Sequence, residues 1–217
     1  MQNLQYAITA VRAGGVMVYP IAVLAIIAST IIADKAYIYW RYARLPPSIM
    51  ELVETYDFAW RDLQERLEQL TLRNYFRRFF TVIVSNRLQS PWWVESRAGD
   101  EAQQIEKGLS RGLWALETTV TAAPLLGLLG TIIGMMQSFG LIGARGLVDP
   151  SAVTAGVAQA LIATALGLFV ALIALFAFNY FSRLQSQTHD EMERLGTRLV
   201  DRIRMDQSQG GRSHEAA

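Results

Sequence analysis

Few residue types in this chain could do chemistry. The 217 residues include no cysteine, which excludes disulfides, thiolate catalysis and a cysteine-based zinc site. The two histidines, His189 and His214, both lie in a polar C-terminal region. Since no nucleophile, base and set of metal ligands occur together, the sequence predicts that the protein is not an enzyme and holds neither a metal nor a cofactor.

What remains is a small set of polar side chains in apolar surroundings. They are Glu117, Thr121, Thr131, Gln159 and Thr164. A polar side chain that faces lipid is costly, so these groups should face other helices or a water-containing cavity. Each also has a simpler interpretation: a threonine can bond back to its own helix, the amide can fix helix packing, and the carboxylate can reach the headgroups.

Three charge-poor windows surround these side chains. Residues 14–33 and 152–182 contain no Asp, Glu, Lys or Arg, and 113–144 contain only Glu117. About 20 residues of α-helix cross a hydrocarbon core of roughly 30 Å. The sequence therefore predicts transmembrane helices at 14–33, 113–142 and 152–181. A secretory signal peptide is the alternative for the first window, but no small-x-small cleavage site before a polar start is present, which favours a retained span.

The orientation of these spans follows from the lysines and arginines near their ends. Residues 1–13 contain only Arg12 and the loop 143–151 only Arg145, whereas 34–112 and the tail after 182 contain most of the positive charge. The excess marks the cytoplasmic side, so 1–13 and 143–151 are expected in the periplasm. The formal net charge of +1 gives no reason to expect nucleic acid as a partner.

The cytoplasmic segments 34–112 and 182–206 have apolar residues at helical spacing. One helix is expected to begin after Pro46-Pro47 with Ser48 as its N-cap, and another to run from Asn74 to Leu88. A third is expected at Ser90-Pro91, continuing into the second span, and the third span is expected to continue as an amphipathic helix. The polar residues 207–217 should be disordered.

Small residues recur along the last two spans. The third span has them at steps of three and four, at Ala152, Gly156, Ala160, Ala163, Gly167, Ala171 and Ala174. The second span contributes Gly127, Gly130 and Gly134, and Pro124 should kink it. Stripes of small residues let helix backbones approach closely in lipid, so tight packing is expected within the chain and between copies.

Two of these segments carry a family resemblance. APLLGLLGTIIGMMQSF at 123–139 and GVAQALIATALGLFVALIALFAFNYF at 156–181 resemble the ExbB/TolQ/MotA proton-channel family, and ExbB and TolQ above all. The resemblance covers the whole chain and implies an all-α polytopic protein of the bacterial inner membrane with long cytoplasmic extensions. It also implies a homopentamer around a central pore.

The resemblance further implies partners and pore residues. An ExbD- or TolR-like single-span protein, with an aspartate in the membrane, would lie inside the pore, and a TonB- or TolA-like protein would receive the motion. Membrane lipids would surround the complex. Thr131 and Thr164 match the family's pore threonines, and Pro124 matches its kinked second helix. The expected function is to use the proton-motive force to energise TonB-dependent transport.

Gln159 is expected on the pore side of its helix as an orienting hydrogen-bond group, and Thr121 and Glu117 are expected along the same proton pathway. Gln159 nevertheless departs from this family, in which a glutamate is usual at that position. An amide does not titrate, so either the partner's aspartate does all the proton binding or the chain is not a normal conducting member. Glu117 shares a helix face with Thr121 and could supply an acid, at a different depth. A TolQ-like subunit of the Tol-Pal system and a non-conducting scaffold stay as alternatives; a MotA-like stator is less favoured because such subunits usually have four spans.

Overall fold

The computed structural model describes residues 15–55, 58–143 and 150–215, excluding the side chains of 141–143, 150–152 and 209–215. This part of the chain folds into seven α-helices without a strand, which confirms the all-α prediction. The helices are α1 (Val18–Tyr42), α2 (Pro47–Glu54), α3 (Trp60–Glu68), α4 (Tyr75–Ser85), α5 (Pro91–Ser110), α6 (Leu113–Gly143) and α7 (Pro150–Glu215).

Three helical stretches are long and apolar enough to cross a membrane. One is α1, one lies in the stretch that contains α6, and one lies in α7, which confirms the prediction of three spans. The chain divides into two compact units. The membrane unit contains residues 15–33 and 112–181, and the amphipathic unit contains 34–111 and the residues from 182 onward.

The helix starts follow from local chemistry. The Asn74 side chain accepts hydrogen bonds from the backbone N–H groups of Phe76 and Arg77, at 2.9 and 3.1 Å, and so caps α4. Ser90 occupies the N-cap position of α5 and Pro91 begins it, as predicted. The expectation for Ser48 was wrong: α2 begins at Pro47 after Pro46, because proline is well suited to the first helical turn.

The predicted continuation of α5 into the second span was also wrong. The backbone leaves the helical region at Arg111, with φ −56° and ψ 123°, and Gly112 has φ +89°. Glycine adopts a positive φ without steric cost, so it can interrupt a helix here. By contrast, α7 continues from the third span without a break. It includes residues up to Glu215 of the segment 207–217, which contains no proline to stop a helix.

The core of the amphipathic unit is built from the apolar faces of its helices. Its fully buried side chains include Phe76, Phe80, Ile83, Val94, Ile105, Leu109, Leu195 and Leu199. Gly196 of α7 allows close packing, since a Cβ there would lie 2.7 Å from Cζ of Phe79. The Trp60 indole N–H donates to the Asp206 carboxylate at 2.8 Å, which fixes α3 to α7.

One buried cation also belongs to this unit. Only 2% of Lys35 is exposed, and its ammonium group donates to the carbonyl of Leu109 at 2.7 Å. That carbonyl is one of the last of α5, where the helix leaves acceptors without an intrahelical donor. Lys35 therefore caps the C-terminal end of α5, directly before the break at Arg111 and Gly112.

Candidate functional site

In the membrane unit α6 and α7 pack closely as an antiparallel pair. A Cβ placed on Gly167 would lie 2.4 Å from the carbonyl oxygen of Ala123, and one on Gly134 would lie 2.9 Å from Cβ of Ala160. The contacts therefore run in opposite chain order along the two helices. Backbones this close exclude larger side chains, which is how small residues promote helix association in lipid.

The rest of the small-residue set has the same environment. Cβ atoms on Gly127 and Gly130 would lie 3.0 Å from Cα of Thr164 and 2.7 Å from Cβ of Ala163. In α7 the buried members are Ala160, Ala163, Gly167, Ala171 and Ala174. These positions face the interior of a single chain. Packing between copies stays a prediction, and the side chain of Ala152 lies outside the described residues.

Two threonine hydroxyl groups donate hydrogen bonds to the carbonyls of consecutive residues of α6. Thr164 of α7 donates across the pair to the carbonyl of Gly127 at 2.9 Å. Thr131 donates to the carbonyl of Leu128, on its own helix, at 2.7 Å. Thr131 therefore bonds back to its own helix, which needs no functional role, whereas the hydroxyl of Thr164 joins two helices.

A polar stripe follows one face of α6. It consists of Glu117, Thr121, Pro124 and Thr131, at steps of four, three and seven residues. Glu117 and Thr121 are exposed, and Pro124 and Thr131 are half-buried; the Thr121 hydroxyl bonds to the carbonyl of Thr118 at 3.0 Å. The described residues therefore leave Glu117 and Thr121 uncovered and cover Pro124 and Thr131 only in part, although charged and hydroxyl groups facing lipid are unfavourable.

Gln159 lies at a different place from the threonines. A Cβ on Gly15 would lie 1.9 Å from Nε2 of Gln159, so the amide packs against the backbone at the start of the first span. Gln159 and Thr164 are five residues apart, which places them about 140° apart around α7. The structure thus does not bring Gln159 to the side of α7 on which Thr164 lies.

The start of α1 covers the Gln159 edge of the α6–α7 pair. Met17, directly before α1, contacts the same pair, with its Cβ 3.3 Å from a Cβ built on Gly130. On α6, Thr131 is rotated about 100° from Gly130. The edge that carries Thr164 and the polar stripe is the one away from α1, and this edge is the candidate site.

Two residues that shape this unit were not predicted from the sequence. Ser138 is 2% exposed, bonds to the carbonyl of Gly134 at 2.9 Å and packs directly against Gly156. Its spacing of four from Gly134 extends the small-residue stripe and could have revealed it. Gly15, with φ +72°, was not singled out. Within the described ranges no three His, Cys, Asp or Glu side chains are grouped as metal ligands would be.

An all-helical fold with three apolar helices long enough to cross a membrane and a tightly packed helix pair defines the class of protein: a polytopic membrane protein. Residues 65–194 match the model of the MotA/TolQ/ExbB proton channel family. The chain belongs to this family.

Curated relatives agree with the family. The chain is 31% identical to "Putative biopolymer transport protein ExbB-like 1" of Synechocystis sp. over 192 residues, covering 86% of this chain and 74% of the relative. It is 41% identical over 80 residues to "Biopolymer transport protein ExbB" of Aquifex aeolicus, covering 37% and 54%. A Xanthomonas campestris protein of that name is 47% identical over 78 residues, covering 36% and 31%.

Proposed function

We propose that this protein is the proton-channel and motor subunit of an ExbB–ExbD-type complex that energises TonB-dependent transport across the outer membrane. Family membership supports the general role. The observation that supports the specific one is the uncovered edge of the α6–α7 pair. The hydroxyls of Thr164 and Thr131 donate there to the carbonyls of Gly127 and Leu128, and exposed Thr121 and Glu117 continue the same face of α6 toward its start.

The proposed assembly is a homopentamer in the bacterial inner membrane, with the N-terminus in the periplasm and the amphipathic unit in the cytoplasm. Five copies would turn their uncovered edges toward a common axis and so remove the polar stripe from lipid. The axis would hold the spans of an ExbD- or TolR-like protein with a membrane aspartate, and a TonB- or TolA-like protein would receive the motion.

The hydrogen bond of the Thr164 hydroxyl suggests how the protonation state of such an aspartate would affect this chain. A hydroxyl has one donor and two acceptor lone pairs. While Thr164 donates to Gly127 at 2.9 Å, its oxygen can still accept a hydrogen bond from a protonated carboxyl group. An ionised carboxylate needs a donor instead, so Thr164 must rotate and release the Gly127 carbonyl. The protonation state of the partner would thereby alter a contact between α6 and α7.

Such a coupling is energetically reasonable. One charge that crosses 100 mV supplies roughly 2.3 kcal/mol, and a hydrogen bond between membrane helices is worth about 0.6 kcal/mol on average. The transfer of one proton would therefore supply more free energy than breaking this bond costs, while the close contacts at Gly134 and Gly167 hold the pair together. Gln159 packs against Gly15, away from this edge, which supports assigning the titrating group to the partner.

Replacing Thr164 by valine tests the proposal. We expect proteoliposomes with the Thr164→Val protein and its single-span partner to lose proton flux while the complex still assembles. Thr164→Ser, which keeps the hydroxyl, should retain most of the flux. Normal flux in the valine variant would contradict the proposal. Normal complexes of the unchanged protein that conduct no protons would instead support the scaffold alternative.

A further inference from the structure

The end of α1 presents an unusual combination of exposed aromatic side chains. The helix has 25 residues and is therefore about 37 Å long, longer than the roughly 30 Å hydrocarbon core. Its last turns should lie among the lipid headgroups. Tyr37 and Trp40, in those turns, are 52% and 65% exposed, and such residues favour that layer.

The turn between α3 and α4 is joined to this end of α1. The Asn74 amide donates to the carbonyl of Arg44 at 2.9 Å. Arg73 lies near Tyr42, whose ring packs edge-on against Tyr37 with the centroids 5.9 Å apart. The neighbouring Leu72 is 78% exposed. The α3–α4 turn is thus held beside the aromatic residues expected at the level of the headgroups, and its Leu72 side chain is exposed.

This surface carries more basic than acidic side chains, although Asp34 lies near Tyr75. The sequence has no Asp or Glu in 35–50 or in 69–94. Arg41, Arg44 and Arg73 are all exposed, and none of the three makes an ion pair with a carboxylate in the described ranges, whereas the nearby Arg78 pairs with Glu101 at 2.6 Å. Exposed apolar side chains rimmed by polar ones mark protein or membrane interaction sites, and here Tyr37, Trp40 and Leu72 are exposed.

We propose that Arg41, Arg44 and Arg73 form a binding site for the phosphate of an anionic lipid, with Leu72 inserted at the bilayer interface. The guanidinium fork suits bidentate phosphate binding, and basic residues at a membrane end are attracted to anionic leaflets. The occupant is a lipid, not soluble phosphate, because exposed Trp40 and Leu72 flank the cations. The site would fix the amphipathic unit to the membrane surface through the α3–α4 turn.

A matched pair of charge variants tests the electrostatic part on the full chain. Arg41→Gln/Arg73→Gln removes two charges from the site, and Arg61→Gln/Arg97→Gln removes two from exposed pairs elsewhere. Native mass spectrometry would measure retention of phosphatidylglycerol against phosphatidylcholine. At roughly fivefold per arginine, we expect the first variant to weaken phosphatidylglycerol binding about 30-fold and the second to change it little. An equal loss of phosphatidylglycerol binding in both variants, or no loss in either, overturns the proposal. Added inorganic phosphate should leave the retention of phosphatidylglycerol unchanged if the site binds lipid.

The chain's lack of cysteine permits a test of the insertion itself. Leu72→Cys and Leu88→Cys place single labels at two exposed leucines of the amphipathic unit, 78% and 89% exposed. In phosphatidylglycerol nanodiscs with nitroxide-bearing lipids, a fluorophore at 72 should be quenched and one at 88 should not. Quenching at both or at neither overturns the proposal. The label at residue 72 can also be exposed to a water-soluble quencher. If the label is protected equally in detergent and in nanodiscs, it contacts a second copy of the chain and not lipid, and this outcome also overturns the proposal.

Discussion

The hydroxyl of Thr164 donates to the carbonyl of Gly127 across the α6–α7 pair, at 2.9 Å. Removing this bond should lower stability as well as flux, whereas Thr131 bonds only to its own helix. We expect Thr164→Val to cost about 0.5–1.5 kcal/mol of unfolding free energy and Thr131→Val to cost less. Thermal unfolding in detergent measures the difference, and an equal loss in both variants would contradict the assignment of the cross-helix bond.

Gly167 marks the closest backbone approach of the pair. Its Cβ would lie 2.4 Å from a carbonyl oxygen of Ala123, and a backbone atom cannot move aside cheaply. We expect Gly167→Ala to destabilise the protein by about 1–3 kcal/mol, as overpacking does. Gly140→Ala, in α6 with no atom within 4 Å of the new Cβ, is the control and should be neutral or slightly stabilising. The thermal midpoints of both variants would decide the matter.

The sequence predicted what depends on local pattern. The apolar windows predicted three membrane helices, and small residues every three or four positions indicated the face along which α6 and α7 meet. It did not predict the interruption at Arg111 and Gly112, because a single glycine within a helical pattern does not reveal its φ. Nor did it distinguish the two sides of α7: Gln159 and Thr164 both read as polar groups in one apolar stretch, and only the packing of Gly15 separates them.

Gly15 combines a positive φ with a close contact, and the two effects can be separated. At φ +72° a non-glycine residue costs about 1–2 kcal/mol, and a Cβ would also meet the Gln159 amide at 1.9 Å. We expect Gly15→Ala to lower stability in the unchanged chain and by a smaller amount in a Gln159→Ala background. A double-mutant cycle measured by thermal unfolding gives the coupling; zero coupling would mean that the two residues do not touch.

Replacing Gln159 by glutamate introduces the group usual in the related ExbB and TolQ motif. Because Gln159 packs against Gly15 and not on the Thr164 edge, we expect Gln159→Glu to leave proton flux within about twofold of the original level. Flux would be measured in proteoliposomes with the single-span partner, with Thr164→Val as the inactive reference. A large gain in flux would show instead that a titratable group at 159 takes part in conduction.

Replacing Lys35 should lower the stability of the protein more than the loss of one exposed charge would. Its buried ammonium group caps α5 through the carbonyl of Leu109 at 2.7 Å. Lys35→Met would leave that acceptor without its donor, a loss of about 1–3 kcal/mol, and hydrogen exchange should rise over 105–111. Lys107→Met, at an exposed position in the last turn of α5, removes the same charge and should change neither quantity. Identical behaviour of the two variants would contradict the capping role.

The unbroken helix α7 and the interrupted junction between α5 and α6 differ in their mechanical properties. In α7 the hydrogen-bonded ladder is unbroken over 66 residues, about 99 Å of helix, so a twist applied at its membrane end is passed along the whole rod. Between α5 and α6 the ladder stops at Arg111 and Gly112, and torsion is absorbed there by rotation about a few backbone bonds. The backbone of α7 is thus expected to resist torsion more strongly than the backbone between α5 and α6.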